Sequence, residues 1–99
     1  MPSDDQVRTE TMPRMVMKLE MVSDDVRELD AACSEFAKGM RQIGHDYSGP
    51  IPLPKQKEKD RTIHTRVFEL ETNDRVALWL KSFVPGESVT IRCKVIERK

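Results

Sequence analysis

The sequence is poor in the features that define several classes of protein. Among its 99 residues it has only two cysteines, Cys33 and Cys93, no long hydrophobic run, and no basic, apolar stretch at its start. We therefore expect no disulfide framework, no export signal, no membrane span and a reducing cytoplasm, with both cysteines acting as small core side chains.

Patterns typical of catalysis or metal binding are also missing. Four glycines form no phosphate-cradling loop, and the two histidines and two cysteines make no short ligand pair. The pair Asp24 and Asp25 is explained by the first turn of a helix, where acids are favourable. The sequence therefore predicts no enzyme activity, cofactor, metal or small-molecule substrate.

Charge is balanced overall but unevenly distributed. Seventeen basic and seventeen acidic residues give a formal charge of zero. Many acids lie in residues 1–12, which we interpret as a flexible arm, and on the first predicted helix. Cations concentrate on the predicted strands and central loop of residues 13–99, which are short enough to form one domain.

Hydrophobic periodicity predicts the first strand and helix. Methionine and leucine alternate with other residues over 14–22, as in a strand with one core face. Ser23 is expected to cap a helix whose end is marked by Gly44. Its apolar stripe recurs every three or four residues: Val26, Leu29, Cys33, Phe36, Met40 and Ile43.

The second half of the chain predicts a similar set of elements. A proline-rich edge segment over 45–54 and a charged turn or loop over 55–61 precede a strand over 62–71. Asn73 or Thr72 caps a short helix, and a last strand follows the Pro85-Gly86 turn. The buried side of that helix is predicted to contain Val76, Trp79, Leu80 and Phe83. In the last strand Val89, Ile91, Cys93 and Val95 alternate with Thr90, Arg92 and Lys94. This order predicts an α+β, ferredoxin-like split βαβ sandwich, with a four-stranded antiparallel sheet and two helices on one face.

Three prolines alternate with other residues in the middle of the chain. The segment is Gly49, Pro50, Ile51, Pro52, Leu53 and Pro54. Each proline fixes its own φ and donates no hydrogen bond, so the segment is either an edge strand or a stiff surface linker.

This segment resembles the Gly-Pro-Ile-Pro-Leu-Pro signature of the S-ten family of small-subunit ribosomal proteins. The stretch from Ile63 to Leu70 is similar to that family's strand carrying His-x-Arg, with His64 and Arg66 at the matching positions. The resemblance implies the same fold and a structural role in the head of the small subunit, in contact with ribosomal RNA and neighbouring proteins. It also implies that residues 49–54 contact protein.

The chain departs from the family between these two stretches. Ribosomal members have a long two-stranded extension there, whereas only residues 55–61 join the stretches here, and Ser48 and Lys55 replace the usual flanking residues. A neutral charge is unusual for a buried ribosomal protein. We therefore expect a divergent relative, either bound peripherally to the ribosome or acting elsewhere as an RNA-binding module or a protein-interaction adaptor.

The sheet face away from the helices is the predicted RNA surface. We expect it to be mostly basic, because Arg14 and several other cations fall there by alternation, although solvated strand cations alone would show the same pattern. Strict alternation puts His64 and Arg66 on the opposite side, so a bulge near Val67 is expected to bring them over. The candidate RNA-binding residues are Lys18, Lys55, Lys57, Lys59, Arg61, His64, Arg66, Arg92 and Lys94. No DNA or membrane partner is expected.

Overall fold

A computed structural model describes residues 14–98 of the chain. The predicted N-terminal arm lies outside these residues. The elements are β1 (Arg14–Ser23), α1 (Val26–Gln42), β2 (Ser48–Pro52), β3 (Gln56–Glu58), β4 (Arg61–Glu71), α2 (Asp74–Ser82) and β5 (Thr90–Arg98).

The strands form one antiparallel sheet with the order β2-β4-β1-β5, and β3 also pairs with β4. Both central strands precede a helix, so the predicted split βαβ arrangement is confirmed. The short strand β3 is an addition to it. The charged segment predicted as a turn or loop is instead a hairpin, in which Gln56–Glu58 pair with Arg61–Ile63 across Lys59 and Asp60. Lys59 has a positive φ of 55°, which closes this two-residue turn.

Helix α1 begins two residues later than a cap at Ser23 would place it. Asp25 is the N-cap, and its carboxylate accepts from the amides of Arg27 at 3.0 Å and Glu28 at 3.2 Å. The prediction for Ser23 was wrong because that residue still belongs to β1. The predicted stop at Gly44 is confirmed: its φ is +67°, and its amide donates to the Arg41 carbonyl at 3.1 Å.

The core lies between α1 and the two central strands. Leu19, Met21, Phe36, Phe68 and Met40 are fully buried. The ring of Phe36 is central: its centroid lies 4.5 Å from that of Phe68, and Tyr47, Trp79 and Phe83 surround it edge-on. The apolar stripe of α1 therefore packs on the sheet as its periodicity predicts, except that Val26 is exposed.

Helix α2 packs on α1 through one close contact. The indole of Trp79 lies against the backbone of Gly39, where an added Cβ would be 1.9 Å from the Cζ2 atom of the ring. Trp79 also stacks on Phe83, with ring centroids 4.8 Å apart. Val76 is buried, while Trp79, Leu80 and Phe83 are half-buried against the core, as the helical spacing predicts.

A polar chain connects the end of β1, the first turn of α1 and the loop before β5. The Ser88 amide and hydroxyl donate to Oε1 of Glu28 at 2.6 and 2.8 Å. The hydroxyl of Ser23 lies 2.7 Å from that of Ser88 and accepts from the amide of Asp25. Since the Ser88 hydroxyl donates to the carboxylate, the Ser23 hydroxyl donates to Ser88, and this buried serine is fully bonded.

The two cysteines have different environments. Burial and the nearby Asp30 carboxylate raise the pKa of the Cys33 thiol to about 11, although the positive charge of Arg66 lowers this pKa in part. Cys93 is exposed, so the prediction of two core thiols was wrong for it. Its neighbour Val95 is also exposed, at 52%, because no helix covers this part of β5.

Candidate RNA and protein interfaces

The proline segment is the outer edge of the sheet, as one of the two sequence interpretations requires. Gly49 has a φ of +115°, and an added Cβ would lie 2.6 Å from the Val67 carbonyl oxygen. Both observations require glycine there. The Gly49-Pro50 peptide bond is cis, and the register against β4 shifts between Ser48 and Ile51.

Two prolines of this edge, Pro52 and Pro54, point their nitrogens away from the sheet. The amide of Leu53 donates to the Thr65 carbonyl at 3.1 Å, so its backbone groups face β4. In a strand the groups of alternate residues point to opposite sides, so those of Pro52 and Pro54 face outward. This edge therefore offers carbonyls but lacks outward N–H groups at the prolines, and pairing with another strand is disfavoured.

The proline edge nevertheless displays apolar side chains. Ile51 is 44% exposed and Leu53 is 40% exposed. Ile51 is opposite Val67, which lies on the face away from the helices, so Ile51 shares that face. A pair of exposed apolar residues on a stiff edge is suited to contact with a protein.

The sheet face away from the helices, hereafter the open face, is mixed in charge rather than mostly basic. Lys18 lies between Glu69 on β4 and Lys94 on β5, and Glu20 is directly opposite Arg92. The expectation of a basic face was wrong because alternation within one strand does not show which residues of the neighbouring strands are acidic. Lys18, Arg92 and Lys94 are all exposed.

His64 and Arg66 lie on the helix side of the sheet. The β1–β4 register runs without a shift, with Met21 opposite Arg66 and Ser23 opposite His64. The expected bulge near Val67 was therefore wrong, since the register shift on β4 belongs to its β2 partner. Arg66 is half-buried, 3.9 Å from the Asp30 carboxylate on α1, and it donates to the Thr65 carbonyl at 3.2 Å.

These contacts give Arg66 an evident structural role. Its half-buried guanidinium lies between β4 and α1 and forms an ion pair that connects the two elements. The Nδ1 atom of His64 is buried beside this region without a hydrogen-bond partner among residues 14–98. Neither side chain shares a surface with the open-face cations.

The lysines of the β3–β4 hairpin form the most available cationic group. Lys55, Lys57 and Lys59 are exposed and make no ion pair with any other residue in the described range. Arg61, by contrast, lies 3.3 Å from Asp24 and 3.5 Å from Glu58. The predicted RNA-binding residues thus separate into a hairpin group, an open-face group and a pair beneath α1.

Other residues relevant to these surfaces were missed from the sequence. Glu20, Glu69 and Asp30 determine the charge around the predicted cations, but they are identified only through strand register and helix docking. Glu69 also makes a further interaction. Nothing in the sequence around Asp30 indicates that it would lie close to Arg66, because the two residues are far apart in the chain.

Comparison with known proteins supports the resemblance. The family model described as Ribosomal protein S10p/S20e matches residues 18–60, from β1 through the proline edge to the hairpin turn. This match supports the resemblance seen in the proline segment and, with it, a small-subunit ribosomal protein role. Comparison with curated proteins gives no significant match.

The described residues lack the features of two other kinds of site. Within residues 14–98 neither helix has the length and hydrophobicity that a membrane span requires. Over the same residues no three His, Cys, Asp or Glu side chains are grouped closely enough to hold a metal ion.

Proposed function

We propose that the protein is a non-enzymatic small-subunit ribosomal component or ribosome-associated factor, which binds ribosomal RNA through its short hairpin. The observation that carries this proposal is the family match over residues 18–60, which ends within that hairpin. A cytoplasmic location and neighbouring small-subunit proteins as partners follow from the same relationship.

The hairpin has the charge needed for phosphate contacts. Residues 55–61 contain four cations and two acids, and three of the cations are free of ion pairs with described residues. Lysine neutralises phosphates as a flexible point charge and releases condensed counterions, so this binding is salt-dependent and tolerant of RNA sequence. Lys18, Arg92 and Lys94 are a secondary contact surface because acids lie beside them.

The test is binding to purified small-subunit RNA at several salt concentrations. Replacing Lys55, Lys57 and Lys59 by alanine should weaken binding and reduce the slope of log K against log salt by about 2, since each phosphate contact contributes about 0.7 to 0.9. The matched control removes three exposed helical cations: Lys38, Arg41 and Lys81. Equal losses of RNA affinity in the hairpin variant and the control variant would show that net charge, not the hairpin, determines binding.

Association with the ribosome needs its own measurement. The protein should migrate with small subunits through a sucrose gradient at low salt. Release at high salt indicates a peripheral factor, whereas retention indicates an integral component. Absence from these fractions at both salt concentrations would contradict the ribosomal proposal.

A second candidate function is a non-ribosomal adaptor that binds protein through the proline edge. The exposed pair Ile51 and Leu53 favours it, because these side chains are the apolar part of an edge that is otherwise poor in donors. Ile51→Asp or Leu53→Asp should then abolish capture of a partner with little dependence on salt. Unchanged capture by both variants would rule out this surface.

A further inference from the structure

The other edge of the sheet, formed by β5, is open to an added strand. In the described part of the chain β5 pairs with β1 and with no second strand. Its nine residues contain no proline, and its register with β1 has no shift. Such an edge is a template for strand addition, in contrast to the proline edge at β2.

The direction of the β5 backbone groups follows from the ladder. The amide of Thr72 donates to the carbonyl of Met15 at 3.0 Å, so the backbone groups of Met15 face β4. By alternation the backbone groups of Lys18 face β5, and the backbone groups of its partner Lys94 therefore face β1. The amides and carbonyls of Ile91, Cys93 and Val95 therefore point outward from the sheet.

The side chains along this edge define what the added strand should contain. On the open face Lys94 is opposite another cation, Lys18, which is an unfavourable cross-strand pair. An acidic residue placed beside Lys94 would offset that repulsion. On the helix side Cys93 and Val95 are exposed, and an apolar neighbour would cover them.

We propose that β5 binds an extended segment of another protein in which acidic and apolar residues alternate. The acidic residues lie beside Arg92 and Lys94, and the apolar residues lie beside Cys93 and Val95. Backbone hydrogen bonds to the outward groups of β5 supply the affinity, while the alternating side chains supply the specificity.

A second copy of this chain is a poor occupant of the same edge. In an antiparallel pair, facing residues share one side of the sheet. A two-fold register centred on Cys93 places Arg92 opposite Lys94 of the second copy, and one centred on Lys94 places two Lys94 side chains together. Both central registers add like-charge pairs to a row that already contains Lys18.

The proposal is tested with a capped nine-residue peptide of alternating glutamate and valine. The intact protein should bind it, and amide exchange should slow at Ile91, Cys93 and Val95, which point outward. The matched peptide of alternating lysine and valine should bind at least about tenfold more weakly, because it places cations beside Lys94. Equal binding of the two peptides, or unchanged exchange at these amides, would overturn the proposal.

Two protein variants separate strand addition from nonspecific attraction. Cys93→Pro removes one outward amide without affecting the ladder to β1, so it should weaken binding of the glutamate peptide at least about tenfold relative to Cys93→Ala. Lys94→Glu should reverse the preference between the two peptides. If Cys93→Pro binds as well as Cys93→Ala, or if Lys94→Glu leaves the preference unchanged, β5 is not the docking strand.

Discussion

Replacing Gly39 by alanine should destabilise the protein, although helix propensity predicts the opposite. Alanine in a helix interior is favoured over glycine by about 1 kcal/mol. At this position, however, the new Cβ would lie 1.9 Å from Cζ2 and 2.4 Å from Cε2 of Trp79. Real carbon atoms do not approach so closely, so the indole must move.

The cost follows from the contacts that Trp79 would have to change. It stacks on Phe83 at 4.8 Å and meets Phe36 edge-on at 5.7 Å. Overpacking a core costs about 1–3 kcal/mol, and each aromatic pair contributes about 0.5–1.5 kcal/mol. After the gain in helix propensity is subtracted, the free energy of unfolding should fall by about 2 kcal/mol, which lowers the Tm of a domain of this size by about 10 °C.

The assay is urea unfolding followed by far-UV circular dichroism, which does not depend on the single tryptophan. Gly39→Ala is measured both in the native background and in Trp79→Leu, where a smaller side chain leaves room for the Cβ. The alanine should be destabilising in the first background and neutral or stabilising in the second. An equal loss in both backgrounds would refute the steric explanation.

Three other predictions concern the start of α1 and the cysteines. Asp25→Ala should lower the free energy of unfolding by about 1 kcal/mol in the same urea assay, because two amides lose their cap; an unchanged midpoint would contradict the capping role. At pH 8 iodoacetamide should modify exposed Cys93 before Cys33, because burial raises the pKa of the Cys33 thiol to about 11. Mass spectrometry after digestion measures the order of modification. Modification of Cys33 first would contradict this prediction. The free energy of unfolding should also decrease as the pH rises from 9.0, the ordinary pKa of a cysteine thiol, towards about 11, the pKa of Cys33 in the folded protein. The reason is that the Cys33 thiol ionises at a lower pH in the unfolded chain than in the folded one. A flat stability profile over that interval would contradict this effect.

Local patterns in the sequence were sufficient for the order of the elements except β3, which lies in the segment expected to be a turn or loop. Alternation in β1 and the three-to-four residue spacing in α1 depend on neighbours a few positions away, so both could be read directly. The stop at Gly44 is local as well, and so is the cap of α2 by Asn73, whose side-chain oxygen accepts from the Val76 amide at 2.9 Å. The start of α1 was misplaced because Ser23 and Asp25 are both good caps, and only the length of β1 decides between them.

The surfaces depend on contacts between distant parts of the chain. The charge on the open face is determined by the register that puts Glu69 beside Lys18, which no local pattern contains. For Arg66 alternation gave the correct side of the sheet, and the error came from a bulge that was assumed in order to bring its charge to the open face. Exposure of Val95 likewise depends on how far a nine-residue α2 extends over the sheet.

The unlike edges of the sheet limit how copies of this protein can assemble. Growth of a continuous sheet from molecule to molecule would require β5 of one copy to pair with β2 of the next, a head-to-tail contact that could repeat without end. The prolines at β2 withhold the donors that such a contact needs, so one end of the sheet is capped. An added strand at β5 would complete the sheet rather than extend a fibre, and the protein can keep one reactive edge without the risk of polymerisation.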